Sequence, residues 1–269
     1  MFFKKITLNH FIFLFLVCTI PVFGQQKITD FYLSNIKEDG SRDWEVEGTE
    51  AYIYDKHVDI DDMKSNYYTE NDTIVITSDT ARLDKENMDV FLEDNVNIVN
   101  EDGSTLQTES LDWYRSKNRI ETTDLVTTKR DNMQITGTGL VADTEVKSAD
   151  FTKDVEVLMP DKETGEVTTI TCVGPLEIEY ALGTAIFNDE VVVNHPRGNL
   201  FSDKATLFYK NEDKAIEKIV CEGNVKIIRD ENVTFAQKAT YYGASEKLIL
   251  EGRPRIIYFT DKDSDSGGL

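Results

Sequence analysis

From residue 44 onward, apolar and polar residues alternate with a period of two, the pattern of strands that bury one face. The stretch Trp44 to Ile60, WEVEGTEAYIYDKHVDI, is the first clear instance, and its alternation predicts Trp44, Val46, Tyr52 and Tyr54 on one side. No window sustains an amphipathic helical period. Proline is scarce, at five residues, and Val, Ile, Thr and Tyr are frequent, so strands are predicted throughout.

The alternation recurs in cycles. A small or apolar opener is followed fifteen positions later by an anchor in the pairs Ala81 and Val96, Leu111 and Val126, Leu140 and Val155, Leu176 and Val191, and Ala239 and Pro254. A sixth cycle, Ala205 to Val225, spans twenty positions, with a longer hairpin through Asn211 to Lys214. Residues two apart in a strand share a face, so Val96 with Ile98, Val155 with Val157, Val191 with Val193, Val225 with Ile227, and Ile256 with Tyr258 point one way. Asn97, Glu156 and Lys226 point the other. Each cycle supplies two strands joined by a polar turn such as Lys85 to Asn87 or Ser116 to Asn118, and cycles must stack to bury their apolar faces. Gly137 and Gly139 read as permitting a sharp bend or bulge.

This pattern predicts an all-β protein: an elongated, folded-over antiparallel sheet with a continuous apolar trough and an open edge at each end. Open edges can add a partner strand or associate edge to edge with a second copy. Periodicity nominates Val96, Ile98, Val126, Val155, Val157, Val191, Val193, Val225 and Ile227 as trough-lining residues, although an ordinary sheet core would hold the same side chains.

Composition then narrows the function. At 269 residues and 40% hydrophobic content the chain can bury a real core. Residues 1–24 carry Lys4 and Lys5, an apolar run from Phe11 to Phe23, and small residues up to Gly24, the arrangement of a cleavable secretory signal. A short membrane anchor is the rival reading, but the run would give only about 20 Å of helix against a hydrocarbon core of ~30 Å. Loss of this leader removes two lysines and no acids and takes the formal charge from −21 to −23. Such a surface repels nucleic acid and anionic headgroups and suits a soluble, exported β-protein. Residues 25–43 are polar without a clear period and read as a spacer; the last residues, 261–269, read as a disordered tail.

No catalytic or metal-binding constellation emerges, and no cofactor is expected. His57 and His195 lack a second ligand at metal spacing, and the D-x-D-x-D of Asp261, Asp263 and Asp265 lacks the rest of a calcium loop. Acidic groups such as Asp59, Asp61 and Asp62 are what fifty acids would place together anyway. Cys172 and Cys221 remain after leader removal; an oxidising compartment would permit a disulfide, and burial in apolar strands would equally suit free thiols.

Short motifs add a resemblance. Leu106, Thr108, Leu111 and Trp113 (L-x-T-x-x-L-x-W), Ile120 and Thr122, and the I-x-G-x-G-L of Ile135 to Leu140 resemble the LptC proteins of lipopolysaccharide export, as do Trp44, Gly48 and Ala51 upstream and ARLD at Ala81. This likeness covers residues 44–160. Over residues 161–260, KATLFY at Lys204, EGNVKI at Glu222, KATYY at Lys238 and LILEGRPRI at Leu248 are similar to LptA or OstA-like repeats. The resemblance implies a β-jellyroll, or "β-taco", of stacked repeats and a non-enzymatic periplasmic bridge. Its implied partners are lipopolysaccharide, an inner-membrane lipopolysaccharide-export ABC transporter and an LptA-like periplasmic protein. A structural or adhesive β-repeat protein of the envelope is the alternative, distinguished by a tightly filled interior.

Overall fold

The computed structural model describes residues 26–258, apart from 38, 70–72, 144–146, 162–163, 211–215 and 246. The leader, the acidic tail and the loop at Asn211 to Lys214 therefore lie outside the described residues. Within them the protein is all-β and antiparallel, consistent with a jellyroll or taco fold, and its helical content is limited to two single 3-10 turns. The chain divides into two compact units, Met1–Phe151 and Thr152–Leu269.

The first unit is a meander. Strands β1 (Gln26–Ile36), β2 (Arg42–Ile53), β3 (His57–Tyr68), β4 (Thr73–Asp84), β5 (Val90–Asn100), β6 (Thr105–Tyr114), β7 (Arg119–Arg130) and β8 (Met133–Asp143) each pair antiparallel with the next. Strand β9 (Ser148–Pro160) follows and runs through the unit boundary. In the second unit β10 (Val167–Cys172) and β11 (Leu176–Glu179) pair with opposite halves of β12 (Thr184–His195). The meander continues through β13 (Gly198–Tyr209), β14 (Ile216–Arg229) and β15 (Asn232–Tyr242). Both β16 (Lys247–Glu251) and β17 (Arg255–Ile257) then pair with β15.

The strands fold over at a crease. Register shifts fall at Glu93/Val96 and Thr122/Leu125 in the first unit and at Asn188/Val191 and Glu222/Val225 in the second. Within these shifts the backbone enters the left-handed region at Asp94, Asn95, Asp189, Glu190 and Asn224, and it does so also at Asp62 in β3 and Asp154 in β9. Short Asp and Asn side chains tolerate that conformation best after glycine, and inserted residues bend a strand. Polar side chains stitch the crease across strands: Asn95 Nδ2 donates to Asp79 at 2.6 Å, Ser110 Oγ to Asp124 at 2.6 Å, and Asn224 Nδ2 to Asp203 at 2.9 Å. Elsewhere the strand is broken outright, between β10 and β11 at Val173 to Pro175 and between β16 and β17 at Gly252 to Pro254.

The fifteen-residue spacing now has a physical meaning. Every opener is buried, and the five anchor valines, Val96, Val126, Val155, Val191 and Val225, are 2% exposed or less, each placed just after a crease. The sixth anchor, Pro254, is exposed, because proline has no N–H for a ladder and sits at the β16/β17 break. Ile256 and Tyr258 are also exposed, at 47% and 71%, so the pair predicted to face the interior does not; β17 is a three-residue strand held by β15.

The crease also overturns one facing. Trp44 is buried and Val46 lines the interior, but the facing changes between Val46 and Ala51, so Ala51, not Tyr52, is the next buried apolar side chain of β2. Tyr52 stands on the outer face, its hydroxyl donating to Glu50 with Lys27 Nζ 5.3 Å from its ring centre. Tyr54 stacks on His57 at 4.5 Å. A Cβ on Gly48 would lie 2.8 Å from Ile60 and 2.9 Å from the Asp61 carbonyl, so glycine is what allows β2 and β3 to approach at this point.

The segment read as a spacer carries β1, ten of whose residues pair with β2. None of its side chains is buried, and Ile28, Tyr32, Leu33 and Ile36 are exposed. A strand without a buried face has no period to show. Cys172 and Cys221 are both buried and free.

Candidate apolar cavity

The interior of the first unit holds a cavity of about 180 Å³. Seven consecutive strands, β2 to β8, line it with residues two apart: Ile74 and Ile76 from one side of the β4 crease, Ala81 and Leu83 from the other. The parity change between these pairs is the bulge itself. Without the one-residue slip, a strand folding back would turn its apolar face to solvent. The volume has room for roughly six water-sized groups, and cavities of this size with aliphatic walls stay dry and accept apolar ligands.

Aromatic and basic side chains mark one part of the lining. Trp44, Tyr67, Trp113 and Arg115 all border the cavity. The Arg115 guanidinium lies 5.5 Å from the Trp113 ring centre, and the Arg115 backbone N–H donates to the buried Asp89 carboxylate at 2.9 Å. Burial lowers the Arg115 pKa, opposed by Tyr67, Asp43 and Asp89; burial likewise raises that of Tyr67, helped by Asp43. Asp43 of β2, Tyr67 of β3, Asp89 just before β5 and Arg115 in the turn after β6 thus share one electrostatic neighbourhood at the cavity wall.

The nine residues nominated by periodicity fall into three groups. Ile98 lines the cavity. Val96, Val126, Val155, Val191 and Val225 are packed at the creases, and Val157 is buried near one of them. Val193 and Ile227 are half-buried on β12 and β14. Trp44, Tyr67, Asn100 and Arg115 were missed as lining residues, although Trp113 and Trp44 stood in the motifs; locating them requires the bulge positions, which alternation alone does not reveal.

The outer carboxylates are in use as structural groups. Asp59 accepts from Arg82 Nε at 2.7 Å, and Asp62 from Thr49 Oγ1 at 2.9 Å. Among the described residues no group of three or more His, Cys, Asp and Glu side chains is arranged to hold a metal ion, and no helix is long and apolar enough to cross a membrane.

Residues 26–159 match the family model for LptC, lipopolysaccharide-assembly, LptC-related, and residues 175–268 that for the LptA/(LptD N-terminal domain) LPS transport protein. The chain is LptC-like, with an LptA-like C-terminal part. No curated protein matches it. The LptC match begins at the first residue of β1 and contains the whole cavity, so strand and cavity both lie in the LptC-like region. The two matches together support a role in lipopolysaccharide transport.

Proposed function

We propose that this protein is a non-enzymatic periplasmic bridge component of lipopolysaccharide export, sheltering lipid A acyl chains in its apolar interior and joining like-folded partners through exposed strands. The observation that carries the proposal is the cavity: an aliphatic and aromatic interior, left open by seven strands in a region matching LptC. A chain transferred into such an interior gains ~0.8 kcal/mol per buried methylene. A protein acting only as a structural or adhesive array would gain nothing from leaving that space unfilled, since unfilled volume costs packing energy.

Exposed apolar residues support the joining role. Ile28, Tyr32, Leu33 and Ile36 on β1, and Leu248, Ile256 and Tyr258 on β16 and after it, offer apolar contacts beside strand backbone. The partners of this reading are lipopolysaccharide, the inner-membrane ABC transporter that extracts it and an LptA-like protein, with export directed by the N-terminal leader. Mass spectrometry of lipid retained by the protein purified without membranes tests the acyl-binding role. Retained lipopolysaccharide, lost on Trp113→Asp in a protein that stays folded, supports the proposal; a lipid-free protein from lipopolysaccharide-replete cells contradicts it.

A further inference from the structure

Asn100 is a polar residue for which plain hydrocarbon binding has no use. It closes β5, borders the cavity and is 3% exposed, yet neither its Nδ2 nor its Oδ1 has a hydrogen-bond partner. The adjoining turn does not require the side chain: its bonds run from the Asn100 backbone N–H to the Ser104 carbonyl at 2.9 Å and from the Gly103 N–H to the Asn100 carbonyl at 3.0 Å. The hydroxyl of Ser104, 1% exposed, and that of Thr108 on β6 are also without partners. By contrast Arg82, another polar residue of the lining, is engaged by Asp59. A buried amide that makes no hydrogen bond destabilises the fold that holds it, most of all in a dry apolar site.

The chemistry of the amide narrows what it would meet. A primary amide presents donors and an acceptor together and carries no charge. A phosphate or carboxylate would satisfy Nδ2 and leave Oδ1 facing an anion, while a plain hydrocarbon would satisfy neither. A hydroxyl both donates and accepts, and so complements the pair. We infer that Asn100 recognises a hydroxyl group on an otherwise apolar acyl chain lodged in the cavity, making this a site selective for hydroxylated over plain acyl chains. This inference rests on the acyl-binding reading above and adds a specificity to it.

The test uses the full chain and displacement of a fluorescent fatty acid by tetradecanoic acid and by its analogues hydroxylated at C2, C3 or C12. Because all four competitors carry the same carboxylate, any contribution from Arg115 cancels. At least one hydroxy acid should displace the probe at about fivefold lower concentration than the parent, the worth of one net hydrogen bond. Asn100→Leu should remove that preference, so that the hydroxy acids and the parent acid displace the probe at equal concentrations, and Asn100→Ala serves the same purpose if leucine crowds the cavity. Equal displacement by all four acids in the unsubstituted protein, or a preference that survives both substitutions, overturns the inference and leaves acyl binding standing. Failure of the fluorescent fatty acid to bind at all overturns both.

Discussion

Replacing Val126 with alanine separates the crease from the cavity. Val126 is fully buried, and its partner across the β7–β8 ladder is Gly137, which has no side chain to relax into the space left behind. Removing two methyl groups forfeits about 1.6 kcal/mol at ~0.8 kcal/mol per carbon, and the unfilled space adds on the order of 1 kcal/mol. Val126→Ala should therefore cost about 2–3 kcal/mol, against ~1 kcal/mol or less for the half-buried Val99 of β5. Both tryptophans, Trp44 and Trp113, lie in the first unit, so their fluorescence during urea unfolding reports on the right part of the molecule. The Val126 variant should unfold at clearly lower urea with an unchanged slope and, where still folded, bind acyl probes as before. A loss below ~0.5 kcal/mol, or one no greater than that of Val99→Ala, would refute the assignment of the anchor valines to crease packing.

Three further outcomes follow from the same geometry. Gly48→Ala should destabilise the first unit by ~1–3 kcal/mol through overpacking against Ile60 and the Asp61 carbonyl; an unchanged urea midpoint would contradict the close approach of β2 and β3. Burial pushes the thiols of Cys172 and Cys221 up to about 11, so at pH 8 both should resist alkylation in the native protein and react on unfolding, as counted by mass spectrometry. The Glu45 carboxyl lies below its ordinary 4.5, chiefly because the Tyr68 hydroxyl donates to it at 2.6 Å, with Tyr32 of β1 as a second donor. A depressed carboxyl stabilises the fold above its unfolded pKa and stops doing so as pH falls through the folded one. Acidification from pH 7 to below 4.5 should therefore cost the unsubstituted protein more stability than Glu45→Gln, by urea midpoints at the two pH values; equal losses would show that Glu45 does not anchor β1.

The fold was legible in the sequence where burial is one-sided. Openers such as Leu111 and Leu140 and anchors such as Val126 recur because each lies beside a crease, so their spacing reports the length of chain between creases. What could not be read is the slip at each crease. A strand that folds over must shift its alternation, and strict period two therefore misassigned Tyr52, whose ring belongs to the outer face. The same slip hid the cavity lining: Ile74 and Ile76 differ in parity from Ala81 and Leu83, yet all four face inward. Strand β1 was invisible for another reason, since it lies on β2 without a buried side chain and carries no pattern for burial to impose. Nothing in the alternation singles out Asn100, and only its burial without a partner distinguishes it.

The central claim is that the first unit's interior receives acyl chains, and site-specific photo-crosslinking in living cells tests it most directly. A photoreactive residue placed at Ile98 or Trp113, on the cavity wall, should capture lipopolysaccharide, while the same residue at Asp59, among the outer carboxylates, should not. Capture from Asp59 alone, or from none of the three positions in a protein that folds and is exported, would contradict the account.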